Sequence, residues 1–147
     1  MKNGLYKNTA KLKDIELHFS SLNQDFVEEL ESTICLAGYF SKIIQNATLY
    51  EFWYDDILVG FAAVYENKGT ENPAYLTNIS TAKNQTGKGI GSELLQFATS
   101  ELKEKGFSEF HLEVKKHNDI AMKLYTKFGF TIDSEKTNDS WLMKLKL

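Results

Sequence analysis

Thr86-Gly87-Lys88-Gly89-Ile90-Gly91-Ser92 is the stretch from which the reading of this chain works outward. A strand-like apolar run, Ala74-Tyr75-Leu76-Thr77-Asn78-Ile79-Ser80, precedes it. Behind it Ile90, Leu94, Leu95, Ala98 and Leu102 recur on one face of a 3.6-residue period, the mark of an amphipathic helix. Strand, glycine-rich turn and helix together aim several free backbone N–H groups at one point. Glycine admits φ > 0 and puts no Cβ between backbone and ligand. The helix N-terminus adds roughly half a positive charge, so the loop suits a phosphate or pyrophosphate.

Spacing separates the phosphate loops of this general shape. A Walker A loop needs Gly, four residues, then Gly-Lys-Ser/Thr; here Ala82 stands at the first glycine and Gly89 follows Lys88. A dinucleotide fingerprint needs Gly-x-Gly-x-x-Gly, and Ser92 occupies its third glycine with more than half the chain upstream. Both readings fail.

A second segment sits downstream: Asn118-Asp119-Ile120-Ala121-Met122-Lys123-Leu124-Tyr125-Thr126-Lys127-Phe128-Gly129-Phe130. By its residues it is a short helix. Asn118 caps the start, Asp119 sits in the first turn, Ala121, Leu124, Tyr125 and Phe128 share a face, and Gly129 closes the end.

Together the two segments resemble the GCN5-related N-acetyltransferase (GNAT) family. Thr86 to Gly91 is similar to its acetyl-CoA loop, Arg/Gln-x-x-Gly-x-Gly/Ala, at both glycine positions. Asn118 to Phe130 is similar to its Asn-x-x-Ala-x-x-Leu-Tyr-x-x-x-Gly-Phe signature at every named position. The loop departs at Thr86, where the family has Arg or Gln, and Gln85 lies one residue too early. That removes a long side chain near the pyrophosphate but none of the backbone donors. The resemblance covers Tyr75 to Phe130 well and the rest by order of elements.

At 147 residues the chain is expected to be one domain, residues 1–147, with a single core. Hydrophobic and charged fractions of 42% and 25% are ordinary for a globular chain. Met1 to Lys7 has no apolar core for a signal peptide, and the apolar run Ile57 to Tyr65 is too short to span a bilayer. One cysteine allows no internal disulfide. These features predict a soluble cytoplasmic protein without membrane contact. Residues 1–80 carry a net charge of −5 and residues 81–147 of +2. Surface charge alone accounts for this, and so does an anionic cofactor beside the basic half with a cationic acceptor beside the acidic half. With net charge −3 and no basic stripe, nucleic acid is not an expected partner.

In chain order, Ile15, Leu17 and Phe19 alternate with Glu16 and His18 and predict a strand, with Ser20-Ser21 as a helix start after it. Phe26, Val27, Leu30 and Ile34, then Tyr39, Ile43 and Ile44, form helical stripes for one or two short helices. Thr48 to Val64 predicts a hairpin turning at Asp55-Asp56. Tyr75 to Thr81 is the next strand, and a helix from about Gly89 stops at Gly106. A strand over Phe107 to Lys115, the Asn118 helix, and a final pair, Phe130 to Ser134 and Trp141 to Leu147, complete the chain. The fold class is α+β (α/β), a mixed sheet with helices packed on it. The resemblance implies that this sheet is mostly antiparallel and that the strands before the loop and after the long helix are parallel and splay apart around the cofactor.

What the resemblance implies for chemistry is acetyl transfer from acetyl-CoA, with no metal, to a primary amine by direct attack. The loop residues Thr86, Gly87, Lys88, Gly89, Ile90, Gly91 and Ser92 would hold the pyrophosphate. The backbone of Ile79, Ser80 and Thr81 would carry the pantetheine arm and polarise the thioester carbonyl. Asn118 contacts the arm or simply caps its helix, and Lys127 joins the cofactor-binding set. Tyr125 would protonate the leaving sulfur, a phenol of pKa ~10 being protonated at neutral pH; its bland alternative is a core tyrosine. The base stays open among Glu51, Glu66, Glu113 and water. Cys35 has no evident histidine partner, His18, His111 and His117 lack metal-ligand spacing, and His117 with Lys115-Lys116 stands as a contact for the 3′-phosphate or as surface charge. Phe26, Tyr39, Phe40, Phe52 and Trp53 line an acceptor pocket or the core. The expected acceptor is a small molecule (amino sugar, polyamine or amino acid), the chain having no docking tail. The alternatives are a protein N-acetyltransferase and a non-catalytic acyl-CoA-binding or sensing module. Family members are often homodimers.

Overall fold

The computed structural model describes residues 1–22, 28, 36–66 and 69–147. One sheet runs through it, with strands β1 (Gly4–Lys7), β2 (Thr48–Tyr54), β3 (Ile57–Tyr65), β4 (Ala74–Thr81), β5 (Glu109–Lys115), β6 (Thr131–Thr137) and β7 (Ser140–Lys146) in the order β1-β2-β3-β4-β5-β7-β6. Every pairing is antiparallel except that of β4 with β5. The helices are α1 (Leu12–Ser20), α2 (Leu36–Asn46), α3 (Ile90–Lys105) and α4 (Asp119–Phe128). This is the mixed, mostly antiparallel sheet with a parallel pair that the family resemblance implies.

Helices cover both faces. On one, Ile90, Leu94, Leu95, Ala98 and Leu102 of α3 and Tyr125 of α4 pack against Ala62, Val64, Leu76, Phe110 and Leu112. On the other, Ile15 and Phe19 of α1 and Phe40 and Ile43 of α2 pack against Leu49, Trp53, Leu58, Phe61 and Ala63. β3 has a core on each side, so its run from Leu58 to Val64 is continuously buried. The hairpin turns where expected. Asp55 and Asp56 both hold positive φ, 48° and 62°, the primed two-residue turn whose twist matches that of paired strands.

The stretch Ile15 to Phe19 is a helix, not the expected strand. The buried residues are Ile15, His18 and Phe19, at i, i+3 and i+4, while Leu17 is 59% exposed. Five residues fit both periods, and packing of the 15/18/19 stripe against β3 decides between them. Ser20 and Ser21 accordingly close this helix instead of opening another; the Ser21 N–H bonds to the His18 carbonyl at 3.0 Å. The N-terminal strand β1 went unread in the sequence because Gly4–Lys7 is half polar and pairs only with β2. Phe26, Val27, Leu30, Ile34 and Cys35 lie outside the described residues. Phe130 is a buried core ring preceding β6, which starts one residue later.

Two irregularities in β4 prepare the site. Against β3, Ala63 faces Asn78 and Val64 faces Leu76, so Thr77 is an extra, bulged residue. The bulge inverts the alternation: Ala74 and Leu76 face the α3 layer, whereas Asn78 and Ser80 face the α1 layer. Against β5, pairing is confined to Ala74↔Phe110, Tyr75↔His111 and Leu76↔Leu112. From Thr77 to Thr81, β4 has no strand neighbour on that side among the described residues, while β5 continues along β7 to Lys115↔Ser140. The parallel pair therefore opens as it leaves the bulge.

Candidate active site

The opened edge of β4 leads into the glycine loop. Gly87 and Gly89 hold φ of 80° and 79°, and a Cβ on either would meet nothing within 4 Å. Glycine is required there by backbone conformation, and the space above the loop stays open for a ligand. Thr86, Gly87, Lys88, Gly89 and Ser92 are exposed, while the Ile90 side chain is buried. Ile90 thus anchors the start of α3 and offers only backbone to the loop. Gly60 permits this seating, since a Cβ there would lie 2.7 Å from Ile90 Cγ2. Gly91 lets α4 approach, its own Cβ position being 3.2 Å from Leu124 Cδ2. Gly60 and Gly91 therefore bring the loop to the sheet and to α4.

Thr86 donates its hydroxyl to the Lys83 carbonyl at 3.2 Å, and Lys88 Nζ donates to Gln85 Oε1 at 3.0 Å. Backbone donors and the exposed Ser92 hydroxyl are what the loop presents to an anion. Asn118 Oδ1 accepts the Ala121 N–H at 3.1 Å, so the helix-cap reading of this residue is correct. Lys127 is exposed in the last turn of α4. Lys116 donates to Glu135 at 2.7 Å and lies 4.2 Å over the Trp141 ring, which ties down one of the cations considered for the 3′-phosphate.

Tyr125 is 6% exposed and stacks edge-on with Phe130 at 5.8 Å. Among the described residues no group hydrogen-bonds to its hydroxyl. Burial pushes this phenol well above its ordinary pKa, because the phenolate would lose hydration with no donor in exchange. The ring is part of the core, as the bland alternative held, but its hydroxyl is unclaimed by the protein. Ile79 packs against the same cluster. Ser80 faces the opposite side, where its hydroxyl meets His18 Nε2 at 2.8 Å.

His18 is a buried structural group. Its Nδ1 lies 3.0 Å from the Leu58 carbonyl, which can only accept, so Nδ1 carries the proton and Nε2 accepts from Ser80. Burial pulls its pKa down to about 4, with the Leu58 hydrogen bond opposing. Among the described residues no group of three or more His, Cys, Asp or Glu could hold a metal ion.

Of the three glutamates considered as base, Glu51 is excluded. It is fully buried two strands from the opening, and its carboxylate accepts the Thr9 and Ala10 N–H groups at 2.8 Å each, the Thr9 hydroxyl and Trp53 Nε1 at 2.9 Å. This brace closes the segment between β1 and α1. Glu66 accepts from Lys105 at 2.6 Å, at the far end of α3 from the loop. Glu113 alone lies on a strand of the opening; it is exposed and accepts the Ser140 hydroxyl at 2.6 Å. Among the aromatics, Phe40 and Trp53 are core residues and Phe52 packs under α3, whereas Tyr39 donates its hydroxyl to the Thr77 carbonyl at the bulge, at 3.0 Å. Thr77 and Asn78 were passed over in the sequence. Their signal is a polar pair interrupting an alternating strand, and only the bulge gives it meaning.

Comparison with known proteins agrees with this arrangement. The model of the Acetyltransferase (GNAT) family matches residues 15–130. GCN5-related N-acetyltransferase 6, chloroplastic, of Arabidopsis thaliana is 32% identical over 65 residues, 44% of this chain and 23% of that protein, so the chain spans less than a quarter of this relative's length. The protein named "Probable spermine N(1)-acetyltransferase" of Bacillus subtilis subsp. natto is 25% identical over 127 residues, 82% of this chain and 81% of its own. Among solved structures, the PaiA N-acetyltransferase of Thermoplasma acidophilum in complex with coenzyme A superposes over 100% of both chains with a TM-score of 0.76 at 21% identity.

Proposed function

We propose, from the premise that this chain belongs to the acetyltransferase (GNAT) family, that it moves an acetyl group from acetyl-CoA to the primary amine of a small molecule. The observation that carries this is the opening of β4 from β5 beyond Leu76, which leads into the open glycine loop. Acetyl-CoA fits that cradle, since Cβ atoms at Gly87 and Gly89 would find only open space. Bound there, it supplies an activated acyl carbon.

The loop N–H groups and Ser92 hold the pyrophosphate, and the edge of β4 at Ile79, Ser80 and Thr81 that is open toward β5 receives the pantetheine arm and polarises the carbonyl. Asn118 carries its cap bond and adds its remaining amide donors to the arm, and Lys127, at the other end of α4, adds a cation to the cofactor-binding set. The amine nitrogen attacks the carbonyl carbon and the carbon–sulfur bond breaks. Its surplus proton leaves to Glu113 or to water. Tyr125 donates to the departing sulfur. Because a thiol of pKa ~8.5 is more acidic than a buried phenol, Tyr125 acts by a hydrogen bond that stabilises the departing thiolate, which takes its proton finally from water. On this reading residues 1–147 form one catalytic domain acting in the cytoplasm. The spermine acetyltransferase name borne by a relative matched over most of its length supports a cationic small-molecule acceptor.

A second reading, a non-catalytic acyl-CoA-binding module, draws on Thr86, whose hydroxyl is turned to Lys83 rather than to the loop mouth. Calorimetric titration with acetyl-CoA, with NAD as comparator, followed by thiol release with spermine, glucosamine and alanine-initiated peptide, separates the readings. Binding and thiol release are the expected results. Binding without release to any amine moves the protein to the second reading, and absence of binding removes both.

A further inference from the structure

Asn78 is 7% exposed, yet among the described residues nothing donates to its Oδ1. A buried amide oxygen left without a partner is costly, and folded proteins avoid it unless a ligand or water completes it. Its position is specific. It follows the bulge directly, on the part of β4 with no neighbour toward β5, and it points to the α1 and α2 side. The other end of the same amide is accounted for. The Tyr39 hydroxyl donates to the Thr77 carbonyl at 3.0 Å and lies 3.3 Å from Thr77 Oγ1, and the Asn78 amide sits close enough to oppose the effect of burial on that phenol. With the NH2 group on the Tyr39 side, the oxygen is the end left without a donor.

We propose that Asn78 Oδ1 receives an N–H of the acceptor amine and so aims the nitrogen at the thioester carbonyl. The inference rests on the transferase reading above. An oxygen accepts only from a donor, and of the two reactants' reacting groups the amine carries N–H bonds while the thioester carbonyl does not. Ile79, the next residue, begins the backbone stretch proposed to polarise that carbonyl, so nucleophile and electrophile meet adjacent residues of one strand. The surroundings suit an alkylamine that arrives as a cation. Tyr75 shares this wall, and its ionisation is opposed by burial, by the Glu113 carboxylate and by Tyr39. Phenol faces and one carboxylate favour a positive charge. A neutral amide oxygen accepts from the ammonium and, more weakly, from the free amine, so it can keep hold of the nitrogen while the proton leaves.

The test compares Asn78→Leu and Asn78→Asp with the wild type, using spermine and glucosamine as acceptors. Asn78→Leu keeps the volume and removes the oxygen. The expected result is an amine KM raised about tenfold, the loss of one hydrogen bond, with the acetyl-CoA Kd by calorimetry unchanged. Asn78→Asp restores an acceptor oxygen and returns the amine KM to near the wild-type value. A raised acetyl-CoA Kd with unchanged amine KM overturns the inference and assigns the oxygen to the cofactor's arm. No change in either constant overturns it in favour of a bound water. Wild-type protein that binds no acetyl-CoA removes the transferase reading itself, whereas wild-type turnover with an indifferent Asn78→Leu removes this inference alone.

Discussion

Under α3 the sheet buries Ile90, Leu94, Leu95, Ala98 and Leu102 around one polar side chain, Thr99, whereas under α1 and α2 it buries His18, Glu51, Asn78 and Ser80 among its aromatics. The two faces serve different partners. On the α3 side the proposed cofactor would be met largely by backbone, which leaves the side chains there free to be apolar core. On the α1 side the strands and the N-terminal segment are joined through side-chain hydrogen bonds, and a recognition group must share that space. Among the described residues each face also holds one unpartnered buried polar atom, Thr99 Oγ1 and Asn78 Oδ1. The comparison predicts that these two orphans behave in opposite ways.

The largest effect is expected at Glu51. Glu51→Ala leaves three N–H donors without an acceptor in a buried region and lowers stability by about 4 kcal/mol in urea unfolding. A stable but inactive Glu51→Ala would instead return this residue to the chemistry. His18 gives the same face a pH dependence. The unfolded chain takes up this proton near 6.5 and the folded one near 4, so the unfolded state holds more protons between those values. Stability from this group is complete above pH 6.5 and is lost as pH falls toward 4, by roughly 3 kcal/mol. Melting curves of wild type and His18→Gln across that window should converge as pH drops; a constant difference between them would mean that His18 is not held neutral.

On the α3 side, Tyr125→Phe is expected to lower kcat about a hundredfold, with melting and acetyl-CoA affinity preserved because the hydroxyl has no protein partner. Unchanged turnover in steady-state assays would return Tyr125 to a purely core role. The smallest effect belongs to Thr99. Thr99→Val removes an unsatisfied hydroxyl at nearly constant volume and should raise stability by about 1 kcal/mol with unaltered kinetics. If it instead changes the amine KM as Asn78→Leu is expected to, the distinction between the two faces fails.

Much of the α3 face was legible in the sequence. The helical stripe from Ile90 to Leu102 is the stripe that is buried, Gly106 closes the helix at φ 93°, and Asn118 caps α4 as its position suggested. These depend on local conformation and on periods that a long helix repeats several times. The α1 face was harder to read. Ile15 to Phe19 fits two periods equally in five residues, and Glu51 looked like any strand glutamate until Thr9, Ala10 and Trp53 closed around it.

The sequence by itself determined the backbone site: glycines at positive φ, a helix start behind them, and a second helix carrying Tyr125, each specified by neighbours within a few positions. Only the tertiary structure decided where side-chain chemistry lies. The Thr77 bulge sets which way Asn78 and Ser80 face, and pairing with β5 stops at Leu76, leaving the edge open. A one-residue shift in a strand exchanges its faces, and whether such a shift occurs depends on contacts between residues distant in the chain, which no local pattern records.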